Sequence, residues 1–195
     1  MLVHFAASVL NIDEDISYFR QIIKAVHEHG DIFTRDWVDP AYATWKKEGS
    51  FAKLDWGTLY KENMEALARA DVVIADTTIK SFSVGYQTAV ALQLKKPTLL
   101  LVRGKSQDAL FASGMDETLL SYKDYNEKTL EPAVHDFLEE NKIDTKDMRF
   151  NFFIDRPIYN YLRWAAYKTG KTKAEILRDL VSREIDKANE VNHHL

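Results

Sequence analysis

Residues 71–94 contain a strand that ends in an acid, a loop with four hydroxyls and a helix start, an order suited to holding a small polar ligand. Residues 72–75 form a short apolar run, typical of a buried parallel strand, and Asp76 follows it directly. The hydroxyls after it belong to Thr77, Thr78, Ser81 and Ser83. From Val84 the apolar spacing becomes helical, and a helix N-terminus offers free N–H groups to an anion. This stretch predicts the floor of a site that accepts a phosphate or a sugar.

Strand-like and helical segments alternate over the first 140 residues, which predicts right-handed βαβ units and a parallel sheet. The predicted strands cover residues 2–6, 31–34, 72–75, 98–102 and 118–122. Ligands of open α/β sheets bind at the carboxyl ends of the strands. Ala7 and Ser8 follow the first strand, where small side chains let a ligand approach the backbone. Arg103 follows the fourth strand, so we expect it at the same edge.

Residues 38–56 are expected to be a long irregular segment, because they contain Pro40 and Gly49. Long loops in compact domains are often functional. The segment and its flank are rich in aromatic residues: Trp37, Tyr42, Trp45, Phe51 and Trp56. These rings either stack on a flat ligand or pack at a subunit interface or on the core, and the sequence leaves both options open.

Composition limits the classes of protein that the chain can represent. There is no cysteine, which excludes disulfides and thiolate metal sites. No His, Asp and Glu set has metal-ligand spacing, and His193 and His194 read as a frayed tail, so we predict no metal or cofactor. No secretory signal and no apolar run of about 20 residues is present, which favours a cytoplasmic protein. Residues 1–148 carry a net charge of −7 and residues 149–187 one of +4, which suggests two modules.

Residues 1–140 resemble the nucleoside 2-deoxyribosyltransferase family, including its 2′-deoxynucleoside 5′-phosphate N-hydrolase branch. The likeness rests on residues 70–76 (ADVVIAD), on Ser81, on Val84-Gly85-Tyr86 and, less closely, on residues 4–8. The resemblance implies a flavodoxin-like α/β fold with a five-stranded parallel sheet and flanking helices. It also implies a dimer with sites near the subunit interface, and cleavage of an N-glycosidic bond by a retaining route with an attacking Glu.

The sequence departs from that family at three polar positions. Gln87 stands where the hydrolase branch has its attacking Glu, His4 aligns with a first-strand Tyr, and Asn63 aligns with an Asp. An amide is a poor nucleophile and cannot supply the carboxylate of covalent glycosidase chemistry. Asp76 and the hydroxyls of Ser8, Ser81 and Ser83 survive, and they suit binding more than chemistry. The further ligand-binding residues that we predict are Ala7, Thr77, Gly85, Asn63 and Arg103. We therefore predict a repurposed pocket.

Each of these residues also has a purely structural interpretation. Asp76 could cap the following turn, and His4 could be a hydrogen-bonded core histidine. Gln87 could be a capping or packing residue, and Arg103 could pair with an acidic group instead of a phosphate.

Residues 149–187 resemble a ribbon-helix-helix domain, after a predicted linker at residues 141–148 and before a tail at residues 188–195. The likeness rests on an alternating strand at residues 149–155, on Pro157 and the helix it opens, on Gly170, and on a capping box of Thr172 and Glu175. The resemblance implies that two chains pair their strands, so that dimerisation is obligatory. It also implies DNA contacts by outward ribbon residues and a phosphate at the second helix. Their counterparts here are Arg149, Asn151, Lys171, Thr172 and Lys173. Outward Phe153 and Asp155 suit DNA poorly, so an assembly module is the rival interpretation.

We expect a homodimer or higher homo-oligomer that binds a nucleotide-like metabolite and lets it bias the second module. Two alternatives remain. An N-glycosidase could use another carboxylate, with Asp76 the nearest candidate, or the chain could be a DNA-binding repressor whose first module is only structural.

Overall fold

The computed structural model describes residues 1–104, 118–142 and 153–192, with side chains up to residue 187. The chain divides into two compact units, Met1–Asp144 and Thr145–Leu195.

A five-stranded parallel sheet forms the centre of the first unit. Its strands are β1 (Leu2–Ala7), β2 (Ile32–Phe33), β3 (Val72–Asp76), β4 (Thr98–Arg103) and β5 (Leu120–Tyr125). They lie in the order β2-β1-β3-β4-β5, and every neighbouring pair is parallel. This is the flavodoxin-like order, with its switch point beside β1 and β3, and it confirms the predicted fold class.

Helices flank this sheet, as is usual for connections between parallel strands. In the described part of the first unit they are α1 (Ile12–Glu28), α2 (Val38–Glu48), α3 (Trp56–Arg69), α4 (Phe82–Gln93) and α5 (Leu130–Glu140). No helix among the described residues is long and apolar enough to span a bilayer.

The sheet is buried because helices cover it. All five residues of β3 are buried, as expected for a central parallel strand. The main core cluster joins apolar residues of β1, β3 and β4 to one face of α1 and of α5. Phe19, Ile22 and Leu138 are among its largest fully buried side chains.

The expectation of an irregular segment at residues 38–56 is wrong for its first part, which forms α2. Pro40 lies in the first turn, where a missing N–H costs little, and Gly49 is the left-handed C-cap with φ of 63°. Neither residue therefore interrupts the helix. The apolar spacing that drives the helix was present in the sequence. Its members are Val38, Ala41, Tyr42 and Trp45, which pack on the core.

The second unit contains α6 (Arg156–Thr169) and α7 (Lys173–Asn192). Asp155 caps α6 by accepting a hydrogen bond from the Ile158 amide at 3.0 Å. Gly170 ends α6 with φ of 71°. A small cluster centred on Leu162, Ala165 and Ile176 holds the two helices together.

The predicted capping box at the start of α7 is confirmed. The Thr172 amide donates to Oε2 of Glu175 at 2.7 Å, and the Glu175 amide donates to Oγ1 of Thr172 at 3.2 Å. Most of the predicted ribbon strand, including Arg149 and Asn151, lies outside the described residues. So do most of the predicted linker and the end of the predicted tail.

Candidate functional site

A cavity of about 490 Å³ opens at the carboxyl end of β1, between the segment after β2 and the helices α3 and α4. Such a volume is ordinary for a small-molecule site. The polar members of its wall are Ser8, Arg35, Asp36, Thr44, Asn63, Ser81, Ser83 and Gln87. Aromatic rings form much of the remainder: Phe5, Trp37, Phe51, Trp56 and Phe82.

The first turn of α4 supplies one end of the cavity. Ser81 is its N-cap residue, and its Oγ lies 3.0 Å from Oγ of Ser83 instead of capping a backbone amide. The first N–H groups of an α-helix have no partner within the helix. Two hydroxyls and free amides at a positive helix end form a suitable place for an anionic group.

Gln87 lies one turn further along α4, and both ends of its carboxamide are engaged. Its Nε2 donates to the Ser83 carbonyl at 3.2 Å, so its Oε1 faces His4. Nε2 of His4 lies 2.8 Å from that oxygen, and the imidazole therefore donates its proton to the amide. The Gln87 side chain is therefore held in the wall by two hydrogen bonds.

His4 is buried beneath the cavity in β1, with 1% of its surface exposed. Burial lowers the pKa of His4, while the hydrogen bond to Gln87 acts in the opposite direction. The imidazole is therefore neutral at physiological pH. Its Nδ1 lies 3.5 Å from Oγ1 of Thr34, which can donate to it.

The carboxylate of Asp76 is hydrogen-bonded to residues at the carboxyl end of the sheet. Its Oδ2 accepts a hydrogen bond from the Tyr125 hydroxyl at 2.6 Å, and its Oδ1 accepts from the Thr78 amide at 2.8 Å. Burial raises the pKa of Asp76 and that of the Tyr125 hydroxyl. Among described residues, the cavity wall does not include Asp76, and the same holds for Thr77.

Arg103 pairs with a buried acid. Its Nη2 lies 2.7 Å from Oδ1 of Asp15, and its guanidinium lies 4.5 Å from the centre of the Tyr18 ring. The Asp15 side chain is 4% exposed, so this pair neutralises a buried charge. These contacts fit the structural interpretation of Arg103, while a phosphate contact stays a prediction.

Two charged wall residues, Arg35 and Asp36, did not emerge from the sequence. Arg35 donates to Oδ1 of Asn63 at 3.0 Å and to Oε2 of Glu62 at 2.7 Å. Both residues follow β2, so their position after a predicted strand was a usable signal. Asn63 reaches the cavity from α3.

The aromatic wall is partly a packing feature and partly an exposed surface. Trp37 donates its indole N–H to the Phe5 carbonyl at 2.9 Å and stacks on the Phe5 ring at 5.7 Å. Phe51 stacks on Trp45 at 5.5 Å. Trp56 is 55% exposed and Phe82 is 89% exposed, so both can still cover a ligand or a protein surface.

Gly85 lies in the first part of α4, outside the cavity wall that the described residues form. A Cβ at this position would meet no atom within 4 Å. Packing within the described part of the chain therefore does not explain the glycine.

Two of the basic residues proposed for DNA, Lys171 and Lys173, already have partners in the second unit. Nζ of Lys171 pairs with Oδ2 of Asp179 at 2.7 Å, and Nζ of Lys173 lies 4.4 Å above the Tyr159 ring. Thr172 is engaged with Glu175 in the capping box. A phosphate bound at the start of α7 would have to displace the Glu175 carboxylate from Thr172.

Comparisons with known proteins agree with the resemblance of the first unit. No protein-family model matches the chain. The 5-hydroxymethyl-dUMP N-hydrolase of Esox lucius is 26% identical over 143 residues, which cover 71% of this chain and 97% of that protein. The protein of the same name from Mus musculus is 28% identical over 140 residues, which cover 70% of this chain and 79% of that protein. A solved structure of a Clostridium botulinum CMP N-glycosidase aligns with a TM-score of 0.49 at 14% identity, over 72% of this chain and 99% of that chain. The chain therefore has homologues that are named as nucleotide N-hydrolases.

Proposed function

We propose that the first unit binds a nucleotide- or nucleoside-like molecule in this cavity and does not cleave its N-glycosidic bond. The observation that carries the proposal is the carboxamide of Gln87 in the cavity wall, hydrogen-bonded to both His4 and Ser83. A retaining glycosidase needs a carboxylate that attacks the anomeric carbon. A neutral amide held at both ends lacks that reactivity.

The remaining wall suits the parts of a nucleotide. The first turn of α4, with Ser81 and Ser83, would receive the phosphate, and Arg35 would supply a positive charge in the wall. Trp37, Phe51 and Trp56 would cover the base. Homologues that are named for acting on a deoxynucleotide support this ligand class.

Binding and turnover are measured side by side to test the proposal. The full chain is titrated with a panel of deoxynucleoside monophosphates and nucleosides by calorimetry, and free base is then assayed after long incubation. We expect saturable binding of at least one phosphate-bearing ligand, weakened by Ser83→Ala, without release of base. An absence of binding throughout the panel would overturn the proposal.

An active N-glycosidase is the second candidate, and one observation favours it. Asp36 is the one carboxylate among the described residues of the cavity wall, whereas Asp76 is bound to Tyr125. The N-glycosidase function would be established if the protein released base, if Asp36→Asn abolished that release, and if the control Asp39→Asn, at a nearby exposed acid, retained it. Loss on Asp76→Ala alone would point to the buried acid.

For the second unit we propose a ribbon-helix-helix module that forms a homodimer or higher homo-oligomer and responds to the ligand. The exposed apolar residues of its two helices support a partnered state, with Trp164, Val181 and Ile185 each more than half exposed. Coupling requires that the ligand prefer one arrangement of the oligomer. A change in oligomer size or DNA affinity on adding the ligand would test it.

A repressor that ignores nucleotides remains the alternative for this unit. It predicts tight, salt-dependent DNA binding that Lys171→Ala with Lys173→Ala removes. The contacts of Lys171 with Asp179 and of Lys173 with Tyr159 weigh against free phosphate ligands at this helix start.

A further inference from the structure

A second cluster of chemically active side chains lies in the first unit, at the ends of α1 and α5. His29 follows the last turn of α1, and His135 and Glu139 lie four residues apart on α5, on one face of that helix. One ligand atom from each of these three residues lies within 4.8 Å of the others. We propose that His29, His135 and Glu139 bind a divalent transition metal, with Zn²⁺ as the best match.

His29 is already held as a metal-ligating histidine would be. Its side chain is 4% exposed, and its Nδ1 lies 2.7 Å from Oδ2 of Asp31. A metal-bound histidine commonly donates the N–H of its second ring nitrogen to a carboxylate. This hydrogen bond fixes the orientation of the ring and raises the basicity of the ligating nitrogen. The other nitrogen, Nε2, faces Oε1 of Glu139 at 2.8 Å. It points to the place where the ion would lie.

The other two ligands can close around an ion with small movements. The ring of His135 lies 5.2 Å from that of His29, edge to face, and both His135 and Glu139 are exposed. Tetrahedral zinc with bonds of about 2.0–2.1 Å places its ligand atoms about 3.3 Å apart. Exposed side chains on one helix face can reach that spacing by rotamer changes.

Helix ends and carboxylates at the cluster favour a cation, while the N-terminal ammonium of Met1, which is bound to Asp31, opposes it. Both α1 and α5 end here, and the C-terminal end of a helix carries partial negative charge. Lys142 lies 3.2 Å from Oε1 of Glu139, and its exposed side chain can move aside. Two imidazoles and one carboxylate form a borderline donor set that suits zinc better than Mg²⁺, which prefers oxygen ligands. A water would complete four-fold coordination.

Zinc titration of the full chain tests this site. The background carries His193→Ala and His194→Ala, because two adjacent terminal histidines could bind zinc by themselves. Calorimetry at about pH 7.5 should give one Zn²⁺ per chain and no heat from Mg²⁺. His135→Ala and Glu139→Gln should each weaken zinc binding at least 10-fold, and Asp31→Asn should weaken it about 10- to 100-fold.

Two matched variants show whether the loss is local. His27→Ala removes an exposed histidine of α1, and Glu140→Gln removes the acid next to Glu139, so both should retain wild-type affinity. Zinc should also raise the melting temperature of the background protein and of these controls, but not that of His135→Ala. No measurable binding of ZnCl₂, or binding that His135→Ala and Glu139→Gln leave unchanged, would overturn the site.

Discussion

His4 donates the proton of its Nε2 to Oε1 of Gln87 across 2.8 Å, and both side chains are almost fully buried. The pair joins the centre of β1 to the first turns of α4, where the cavity floor forms. A carboxylate at position 87 could accept the same hydrogen bond from His4, but its second oxygen could not donate to the Ser83 carbonyl as Nε2 of Gln87 does and would have to turn away from it. On the function that we propose, the chemistry of the pocket depends on whether residue 87 carries an amide or an acid.

Gln87→Glu should create N-glycosidase activity. The new carboxylate would accept from the His4 imidazole and face the cavity, where it can attack a bound sugar. Because a positioned catalytic group contributes about 10²–10⁴-fold, we expect release of free base to rise at least about 100-fold above wild type. Base release from the deoxynucleotide that binds wild type measures the gain, and Gln87→Ala is the control. Equal release from all three proteins would contradict the prediction.

The pH dependence of stability should include a contribution from His4. Burial keeps the pKa of His4 below its ordinary value of 6.5, so the unfolded chain takes up a proton at a higher pH than the folded chain does. The free energy of unfolding should thus fall as pH drops below about 6.5, by at most about 1.4 kcal/mol per pH unit for one proton. Urea unfolding at about pH 7.5 and about pH 5.5 measures the loss.

A matched pair of variants isolates that contribution. His4→Gln removes the buried imidazole and should lose less stability between the two pH values than wild type does. His27→Gln, on the exposed side of α1, should keep the wild-type loss. If His4→Gln and wild type lost the same free energy over this interval, the buried imidazole would not be its source.

The sheet and much of the site could be predicted because they follow from patterns of neighbouring residues in the sequence. A buried run followed by an acid marks β3, and the helical spacing after Ser83 places the start of α4 and Gln87 at the ligand edge. Asp76 was placed at the right strand end, but its side chain pairs with Tyr125, which lies 49 residues away in sequence. Short-range patterns contain no information about such a partner.

The proposed metal site shows the same limit more sharply. The spacing of His135 and Glu139 on a helix is a usable local signal, but His29 lies 110 residues before Glu139 and reaches it only through the packing of α1 on α5. The prediction that no metal-ligand set exists considered spacing along the chain alone. Arg35 and Asp36 directly follow the second predicted strand, but Arg35 reaches Asn63, 28 residues later in the sequence, only through the fold.

Arg103 should matter for stability more than for ligand binding. Arg103→Met leaves the buried carboxylate of Asp15 without its 2.7 Å partner, and breaking a buried ion pair commonly costs about 3–5 kcal/mol. Because Arg103 is itself about one quarter exposed, we expect a loss of about 3 kcal/mol in the free energy of unfolding. Urea unfolding measures it. Asp15→Asn with Arg103→Met should recover part of the loss, and a large fall in nucleotide affinity at unchanged stability would support phosphate contact instead.

Ile185→Asp should dissociate the oligomer that we propose for the second unit. Val181 and Ile185 lie one turn apart on α7 and are 56% and 54% exposed, so an isolated chain leaves this apolar face in water. In an assembled oligomer the new carboxylate would be buried without a partner, which is costly. Sedimentation equilibrium should therefore show at least a 10-fold weaker self-association. Ser182→Asp adds the same charge to an exposed neighbouring position and should associate like wild type. A wild-type chain that sediments as a monomer, or an Ile185→Asp chain that associates normally, would exclude this face of α7 as the dimer contact.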